Sequence, residues 1–220
     1  MRVEKLDSET RRGQFEDAAL GLIATHGVEG LSLGAVARRL GLVPSAIYRH
    51  FKSKDDLIEA IIEVMRGRMM RNLDAVRAAH AGNALEALRH MLMMHVGQFR
   101  ENQAIPRIIF SESLHTDRPD RRRRIHSIIT DYLAGVADLI REGQRQGRIR
   151  ADLDPSTAAV VFLGLIQSSG VLWILTDGGF DVTKHAQRAW RLVGGAFAET
   201  ADAGKASKST GGRRGVGKRK

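Results

Sequence analysis

Apolar residues recur at helical spacing along nearly the whole chain, whereas the alternation typical of strands is almost absent. Glycines, prolines and capping residues divide this pattern into nine segments. The pattern therefore predicts an all-α fold of about nine helices. Their approximate bounds are 8–26, 33–40, 44–51, 54–80, 84–102, 105–113, 119–146, 155–176 and 182–201.

Several of these segments begin with a residue suited to capping a helix. Ser32 precedes the second segment, and Ser53 with Asp56 forms a capping box before the fourth. Asp154 followed by Pro155 is typical of the start of a helix, and Asp181 precedes the last segment. These side chains are expected to accept hydrogen bonds from the first free amides of their helices.

The second and third segments meet at Gly41 and form a candidate helix-turn-helix. On an α-helical wheel the apolar face carries Val43, Ile47 and Phe51, and Ser45 with Arg49 points the opposite way. A helix with an apolar back and a small, polar, basic front suits the major groove of DNA. An ordinary amphipathic surface helix has the same pattern, so periodicity alone leaves both interpretations open.

The amino-acid sequence of residues 27–57 favours the first interpretation, a DNA-binding helix-turn-helix. It closely resembles the N-terminal domain of the tetracycline-repressor (TetR) family of bacterial transcription regulators, at Gly27, Ser32, Ala37, Gly41, residues 47–51 and Lys54. The resemblance implies an N-terminal three-helix helix-turn-helix domain and a C-terminal helical domain for effector binding and dimerisation. It implies domain bounds of 1–53 and 54–201, followed by a tail at 202–220 whose composition predicts disorder.

The same resemblance implies roles for individual residues. Ser32, Tyr48, His50 and Lys54 match positions that contact the phosphate backbone of DNA, and Pro44, Ser45, Ala46 and Arg49 match the groove-facing set. No Asn or Gln is available on this helix to bind adenine. Specificity is therefore expected to depend on Arg49, on contacts with thymine methyl groups, or on DNA shape.

The net charge of +10 needs care as an argument for a DNA partner. Residues 205–220 carry seven Lys and Arg and no Asp or Glu, so residues 1–204 carry only +3. The tail can add non-specific affinity for DNA, but it offers no means of selecting a sequence.

The eighth segment contains an uncharged run at 158–175 that reaches the lower length limit of a membrane span. We instead predict a helix that packs on its own domain and on a second subunit, with no membrane partner. Small residues in this helix and apolar residues in the last one predict a homodimer interface formed by Gly164, Ser168, Trp190, Val193 and Phe197.

All methionines except Met1 lie between residues 65 and 94. The methionine side chain is flexible and can pack around groups of irregular shape. These residues therefore indicate either a cavity for a small apolar effector or plain core packing. The candidate lining residues are Met65, Met69, Met91, Met94, His95, Phe99, Phe110 and Trp173. The four arginines 121–124 are predicted to form a solvated helix face, with an acidic effector as the alternative.

The chain has no cysteine and no recognisable catalytic or metal-binding motif. We therefore predict no enzyme activity, no cofactor and no metal site, and a cytoplasmic location. The sequence favours a ligand-responsive repressor that a small molecule releases from a palindromic double-stranded DNA operator. The alternative is an architectural, nucleoid-associated DNA-binding protein without an effector.

Overall fold

The structure is a computed structural model that describes residues 8–101, 104–109, 111 and 118–199. These residues form eight α-helices and one short 3₁₀ helix, which confirms the all-α prediction. The nine predicted segments all appear, but the third is 3₁₀ rather than α. In chain order the helices are α1 (Ser8–His26), α2 (Leu33–Arg39), the 3₁₀ helix (Pro44–Arg49), α3 (Lys54–Ala79), α4 (Ala84–Glu101), α5 (Ala104–Ile109), α6 (Pro119–Arg145), α7 (Pro155–Leu175) and α8 (Val182–Phe197).

The predicted capping residues satisfy the amides at the starts of their helices. The Ser53 hydroxyl accepts a hydrogen bond from the Asp56 amide at 3.1 Å, while the Asp56 carboxylate accepts one from the Lys52 amide at 2.9 Å. This pair fixes the turn that leads into α3. Ser32 on α2, Asn83 on α4, Asp154 on α7 and Asp181 on α8 also cap their helices.

Two apolar cores stabilise the fold. The first is formed by α1, α2, the 3₁₀ helix and the first half of α3, and Ala104 and Ile108 of α5 and Ile128 of α6 also belong to it. Its fully buried side chains include Phe15, Ile47 and Phe51. We call α1, α2, the 3₁₀ helix and the first half of α3 the head. The second core lies among α4, α6, α7, α8 and the end of α3, around Tyr132 and Phe162.

Helix α3 belongs to both cores. Its apolar residues Leu57, Ile58, Ala60, Ile61, Ile62 and Met65 are buried in the head core, and Leu73 and Val76 are buried in the second core. The helix has 26 residues and is therefore about 39 Å long. A rigid element of this length connects the head directly to the interior of the larger domain.

The segment between α6 and α7 is anchored on the end of α8. Gly147 has a φ of +63°, a left-handed conformation that glycine adopts without strain, and it allows the chain to reverse after α6. An isolated antiparallel bridge then pairs Ile149 with Ala198. The bridge fixes where α7 begins relative to α8.

Helix α7 is long and apolar enough to cross a membrane by length and composition. In the fold it packs against α4, α5, α6 and α8, and it buries Phe162, Ile166 and Trp173. One side remains uncovered. Among the described residues the exposed large apolar side chains are Val43 and Tyr48 in the head, and Val160, Val161, Leu172, Leu175 and Leu192 on α7 and α8.

Candidate DNA-binding site and effector domain

A tight turn joins α2 to the 3₁₀ helix. Gly41 has a φ of +69°, and the Leu42 amide donates a hydrogen bond to the Ala37 carbonyl at 2.9 Å. A side chain at position 41 would strain this left-handed backbone, which is the physical reason for a glycine there. The turn sets the 3₁₀ helix across α2, in the arrangement of a helix-turn-helix.

The 3₁₀ helix has one buried side and one exposed side, as the sequence predicts. Ile47 is completely buried, and Phe51 just beyond the helix is buried as well. Pro44, Ser45, Tyr48 and Arg49 are exposed, and Tyr48 retains 58% of its accessible surface. We call this element the recognition helix.

One detail of the predicted recognition helix is wrong, and the surroundings of a second residue differ from expectation. Val43 was expected on the apolar back, but it is 67% exposed because it precedes the helix in an extended conformation, with φ −65° and ψ 143°. An α-helical wheel therefore does not apply to it. Ala46, expected to face the groove, is partly buried and packs against the head core.

The residues expected to contact phosphates lie on three elements around the recognition helix. Ser32 is exposed at the start of α2, and Lys54 is partly buried at the first position of α3. His50 is the C-cap that follows the recognition helix, and its ring packs on Phe15 of α1 with centroids 5.4 Å apart. The positive end of the α3 dipole lies beside Lys54, so this turn suits a phosphate.

Sequence reasoning missed Arg12 of α1. Its guanidinium lies 4.6 Å from the centroid of the Phe51 ring and pairs with Glu16 at 3.1 Å. Burial raises the pKa of Glu16, and the adjacent Arg12 charge opposes that rise. Arg12 thus places a fixed, half-exposed positive charge beside the end of the recognition helix. Residues 12 and 51 are too far apart in sequence for their contact to be predicted.

The candidate effector-lining residues are divided between the two cores. Met65 is buried in the head core, and the partly buried Met69 contacts both cores. Met91, His95, Phe99 and Trp173 are buried in the second core, and Met94 packs at its edge. Phe110 lies outside the described residues. The methionines therefore follow the junction of α3 and α4 rather than forming a single ring.

A polar pair is buried in the second core. His95 Nδ1 lies 2.8 Å from the Met91 carbonyl oxygen, so this nitrogen carries the proton and donates. His95 Nε2 then accepts, and it faces the Tyr132 hydroxyl at 3.4 Å. Burial lowers the pKa of His95 and raises that of Tyr132, so both side chains are neutral at pH 7.

The buried His95 should make the stability of the protein depend on pH. Because its pKa is lower in the folded than in the unfolded chain, the unfolded chain binds the proton first as the pH falls. The stabilising contribution is complete above about pH 6.5 and is lost as the pH falls towards the folded pKa, by at most about 1.4 kcal/mol per pH unit for one proton. Urea unfolding at pH 7.5 and 5.5 should therefore show a smaller difference for His95→Gln than for the unchanged chain.

The matched control for this prediction is His126→Gln, which replaces an exposed histidine of α6. It should leave the pH dependence of the unfolding free energy nearly unchanged. Equal pH dependence in the unchanged chain and in His95→Gln would contradict the assignment of His95 as a buried neutral group.

An open cleft of about 680 Å³ lies where the chain passes from α7 to α8. Its walls are formed by Trp173, residues 178–184 and Gln187. Trp173 therefore borders both the second core and a surface cleft. Gly178 lies beside the Trp173 ring and has a φ of +83°, a left-handed backbone conformation that favours glycine at this position of the loop.

The predicted dimer residues have different surroundings. Gly164 and Ser168 of α7 are exposed, and a side chain at position 164 would meet no atom of the same chain. Trp190 and Val193 of α8 are partly buried, whereas Phe197 is 5% exposed and belongs to the chain's own core. Val160, Val161, Leu172 and Leu175 of α7, which the sequence did not single out, are also exposed, and so is Leu192 of α8.

The arginine-rich start of α6 is solvent-exposed at Arg122, Arg123 and Arg124, as predicted, but the prediction is wrong for Arg121. Arg121 is only 5% exposed; its Nε donates to Glu59 at 2.7 Å and its NH2 group donates to Asp55 at 2.9 Å. Arg118 also pairs with Asp55. Arg124 bridges Glu59 and Glu63 at 3.5 and 2.9 Å. We call these six residues the α3–α6 ladder.

The charges of the ladder stabilise one another. Burial disfavours the charge of Arg121, but its hydrogen bonds to Asp55 and Glu59 outweigh this effect and raise its pKa. Hydrogen bonds from Arg121 and Arg124 lower the pKa values of Asp55 and Glu63 respectively. Because the three arginines already have carboxylate partners, the structure disfavours an acidic effector bound to them.

The described residues contain no group of three or more side chains that could hold a metal ion.

The fold and the exposed recognition helix define a helix-turn-helix DNA-binding protein with a separate helical domain. Family models agree: residues 17–61 match "Bacterial regulatory proteins, tetR family", and residues 63–196 match "YsiA-like protein, C-terminal region". The chain belongs to the tetR family and is a ligand-responsive, DNA-binding transcriptional repressor that acts as a dimer.

Individual relatives are similar along most of their length. The fatty acid metabolism regulator protein of Bacillus subtilis is 24% identical over 82% of this chain and 92% of its own. The nucleoid occlusion factor SlmA of Vibrio atlanticus is 22% identical over 84% and 94%. The structure of FadR from Bacillus subtilis in complex with stearoyl-CoA has a TM-score of 0.70 at 22% identity, covering 84% of this chain and 98% of that one.

Proposed function

We propose that two copies of this chain bind a palindromic operator in the cytoplasm through their recognition helices, as a binding protein rather than an enzyme. The observation that carries the proposal is the exposed side of that helix: Ser45 and Arg49 face outward beside Tyr48, while Ile47 is fully buried behind them. Residues 1–53 form the DNA-binding domain and residues 54–201 the effector and dimerisation domain.

In this proposal phosphate contacts position the dimer and base contacts select the sequence. The positioning contacts come from Ser32, Tyr48, His50 and Lys54. Arg49 has the one charged side chain on the exposed side of the recognition helix, and arginine binds the O6 and N7 atoms of guanine with two hydrogen bonds. Pro44 and Ser45 allow close approach to base edges because their side chains are small.

Arg49→Ala should relax the base preference at one position of each half-site. We expect a loss of about 1–3 kcal/mol of discrimination if Arg49 binds guanine. Tyr48→Ala removes a positioning contact instead, so it should weaken binding to related sequences by similar factors. The measurement is in vitro selection from random duplexes with each variant. An Arg49→Ala selection that returns the preference of the unchanged chain would remove Arg49 from the groove-facing set.

We propose that the dimer forms through the uncovered sides of α7 and α8. Their exposed apolar residues form the largest group of such side chains among the described residues, and exposed apolar groups of this kind mark interfaces. Gly164 and Ser168 let the helices of the two subunits approach closely. A twofold axis through this surface would place the two recognition helices on one side of the dimer.

We propose a long-chain acyl-CoA as the class of effector. The C-terminal region matches the YsiA-like family model, and the similar FadR of Bacillus subtilis has been solved with stearoyl-CoA. The second core offers apolar side chains along α4 and α7, including Met91, Phe99 and Phe162. Methionines can rearrange around an acyl chain, which a rigid aromatic wall could not do.

The experiment uses a fluorescent duplex obtained by in vitro selection with the full chain. Stearoyl-CoA should release the duplex, whereas free CoA and stearate at the same concentration should not. A detergent whose alkyl chain has the same length as the acyl chain controls for surfactant effects of stearoyl-CoA. Retention of the duplex with stearoyl-CoA at saturation would exclude this effector class while leaving the DNA-binding proposal intact.

A further inference from the structure

The α3–α6 ladder joins the head to the effector domain at a position next to a proposed DNA contact. On α3, Asp55, Glu59 and Glu63 are spaced by four residues and therefore lie along one face. Arg118, Arg121 and Arg124 meet them in the same chain direction, so α3 and α6 run parallel along this edge. A change in the position of α6 along this edge must change these pairs.

Arg121 differs from the other members of the ladder because it is buried. Exposed ion pairs contribute little to stability, and Arg118 and Arg124 retain about half of their accessible surface. Arg121 retains only 5% of its accessible surface and donates hydrogen bonds to two carboxylates at once. A buried guanidinium that loses its carboxylates is strongly unfavourable, so Arg121 must stay with α3 or leave the interior. This gives the contact two discrete arrangements.

The carboxylate that Arg121 holds lies in the first turn of α3. Asp55 directly follows Lys54, the proposed phosphate contact, and Ser53 and Asp56 fix the same turn through their capping hydrogen bonds. The recognition helix ends only five residues before Lys54. The position of Asp55 therefore determines where Lys54 and the recognition helix stand relative to α6.

We infer that Arg121 is a positioning residue for operator binding: through Asp55 and Glu59 it holds the head in the orientation that fits two successive major grooves. This inference rests on the proposed function, in which Lys54 and the recognition helix contact DNA. An effector that displaces the start of α6 would separate Arg121 from α3, and the head would lose its fixed orientation.

The first measurement compares two arginines of the same helix. Arg121→Met removes the buried contact, whereas the control Arg123→Met removes an exposed arginine whose ion pair, among the described residues, is with Asp120 of the same helix. We expect Arg121→Met to raise the Kd for the selected duplex by a factor between about 5 and 150, the usual range of coupling between sites. Arg123→Met should change the Kd by less than about twofold, as expected for an exposed pair.

The second measurement reports the orientation of the heads without DNA. The chain has no cysteine, so Glu29→Cys, at an exposed position between α1 and α2, provides a single spin-label site in each subunit. Double electron–electron resonance then measures the distance between the two heads of the dimer. Arg121→Met should shift or broaden this distance distribution, and Arg123→Met should reproduce that of the parent.

Asp55→Asn provides the test if Arg121→Met does not fold, because Asp55 is 39% exposed and its replacement leaves Glu59 as a partner for Arg121. It should also raise the Kd and broaden the distance distribution. Variants that are less stable to urea, yet bind the duplex with the parental Kd and keep the parental distances, would overturn the inference and leave the ladder a purely structural contact. Absence of sequence-selective binding by the unchanged chain would instead overturn the proposed function.

Discussion

Leu192→Glu should convert the dimer to monomers and lower operator affinity by about 10²-fold or more. Leu192 lies on α8 and is 77% exposed, so burial within its own chain does not account for a leucine there. A glutamate in a dimer interface would be desolvated without a partner and would oppose its own symmetry copy. A monomer binds only one half-site, and it loses the gain in affinity from linked sites that a dimer has.

Analytical ultracentrifugation measures the oligomeric state, and titration of the selected duplex measures the affinity. Ala75→Glu is the matched control, because it introduces the same charge at an exposed position of α3, a helix that packs against α1, α4 and α6. The control should remain dimeric and bind normally. A Leu192→Glu protein that sediments as a dimer would place the interface elsewhere on the molecule.

The helices could be predicted from the sequence because their signals are local. Periodic apolar residues, capping side chains such as Ser53 and Asp181, and turn glycines such as Gly41 act over four or five residues. The recognition helix was located correctly for the same reason. Its 3₁₀ geometry was missed, and with it the exposure of Val43, because no local rule distinguishes six residues of 3₁₀ helix from α-helix.

The contacts between distant segments could not be predicted. Arg121 pairs with carboxylates more than sixty residues away, and nothing in its own neighbourhood distinguishes it from the exposed Arg122 and Arg123. The contact of Arg12 with Phe51 is of the same kind. Phe197 and Leu192 illustrate the remaining difficulty, since periodicity identifies apolar residues but cannot decide which bury within the chain and which stay exposed.

A large buried aromatic ring in the head core, that of Phe15, supports the recognition helix. Phe15 of α1 is fully buried and contacts both the His50 ring and the Phe51 ring, the latter edge-on with centroids 6.4 Å apart. Both rings adjoin the end of the recognition helix. Phe15 thus supports that end from within the head core, and the Arg12 guanidinium lies over the Phe51 ring.

Phe15→Ala should therefore destabilise the protein by about 3–5 kcal/mol, since it removes a buried aromatic side chain and leaves a cavity. Operator binding should be lost together with the order of the recognition helix. The control is Tyr48→Ala, because Tyr48 lies on the same head and is largely exposed. Urea unfolding should show little change for Tyr48→Ala, while its operator affinity falls. If Phe15→Ala were as stable to urea as the unchanged protein, the head would not depend on this core. Other contacts would then have to support the recognition helix.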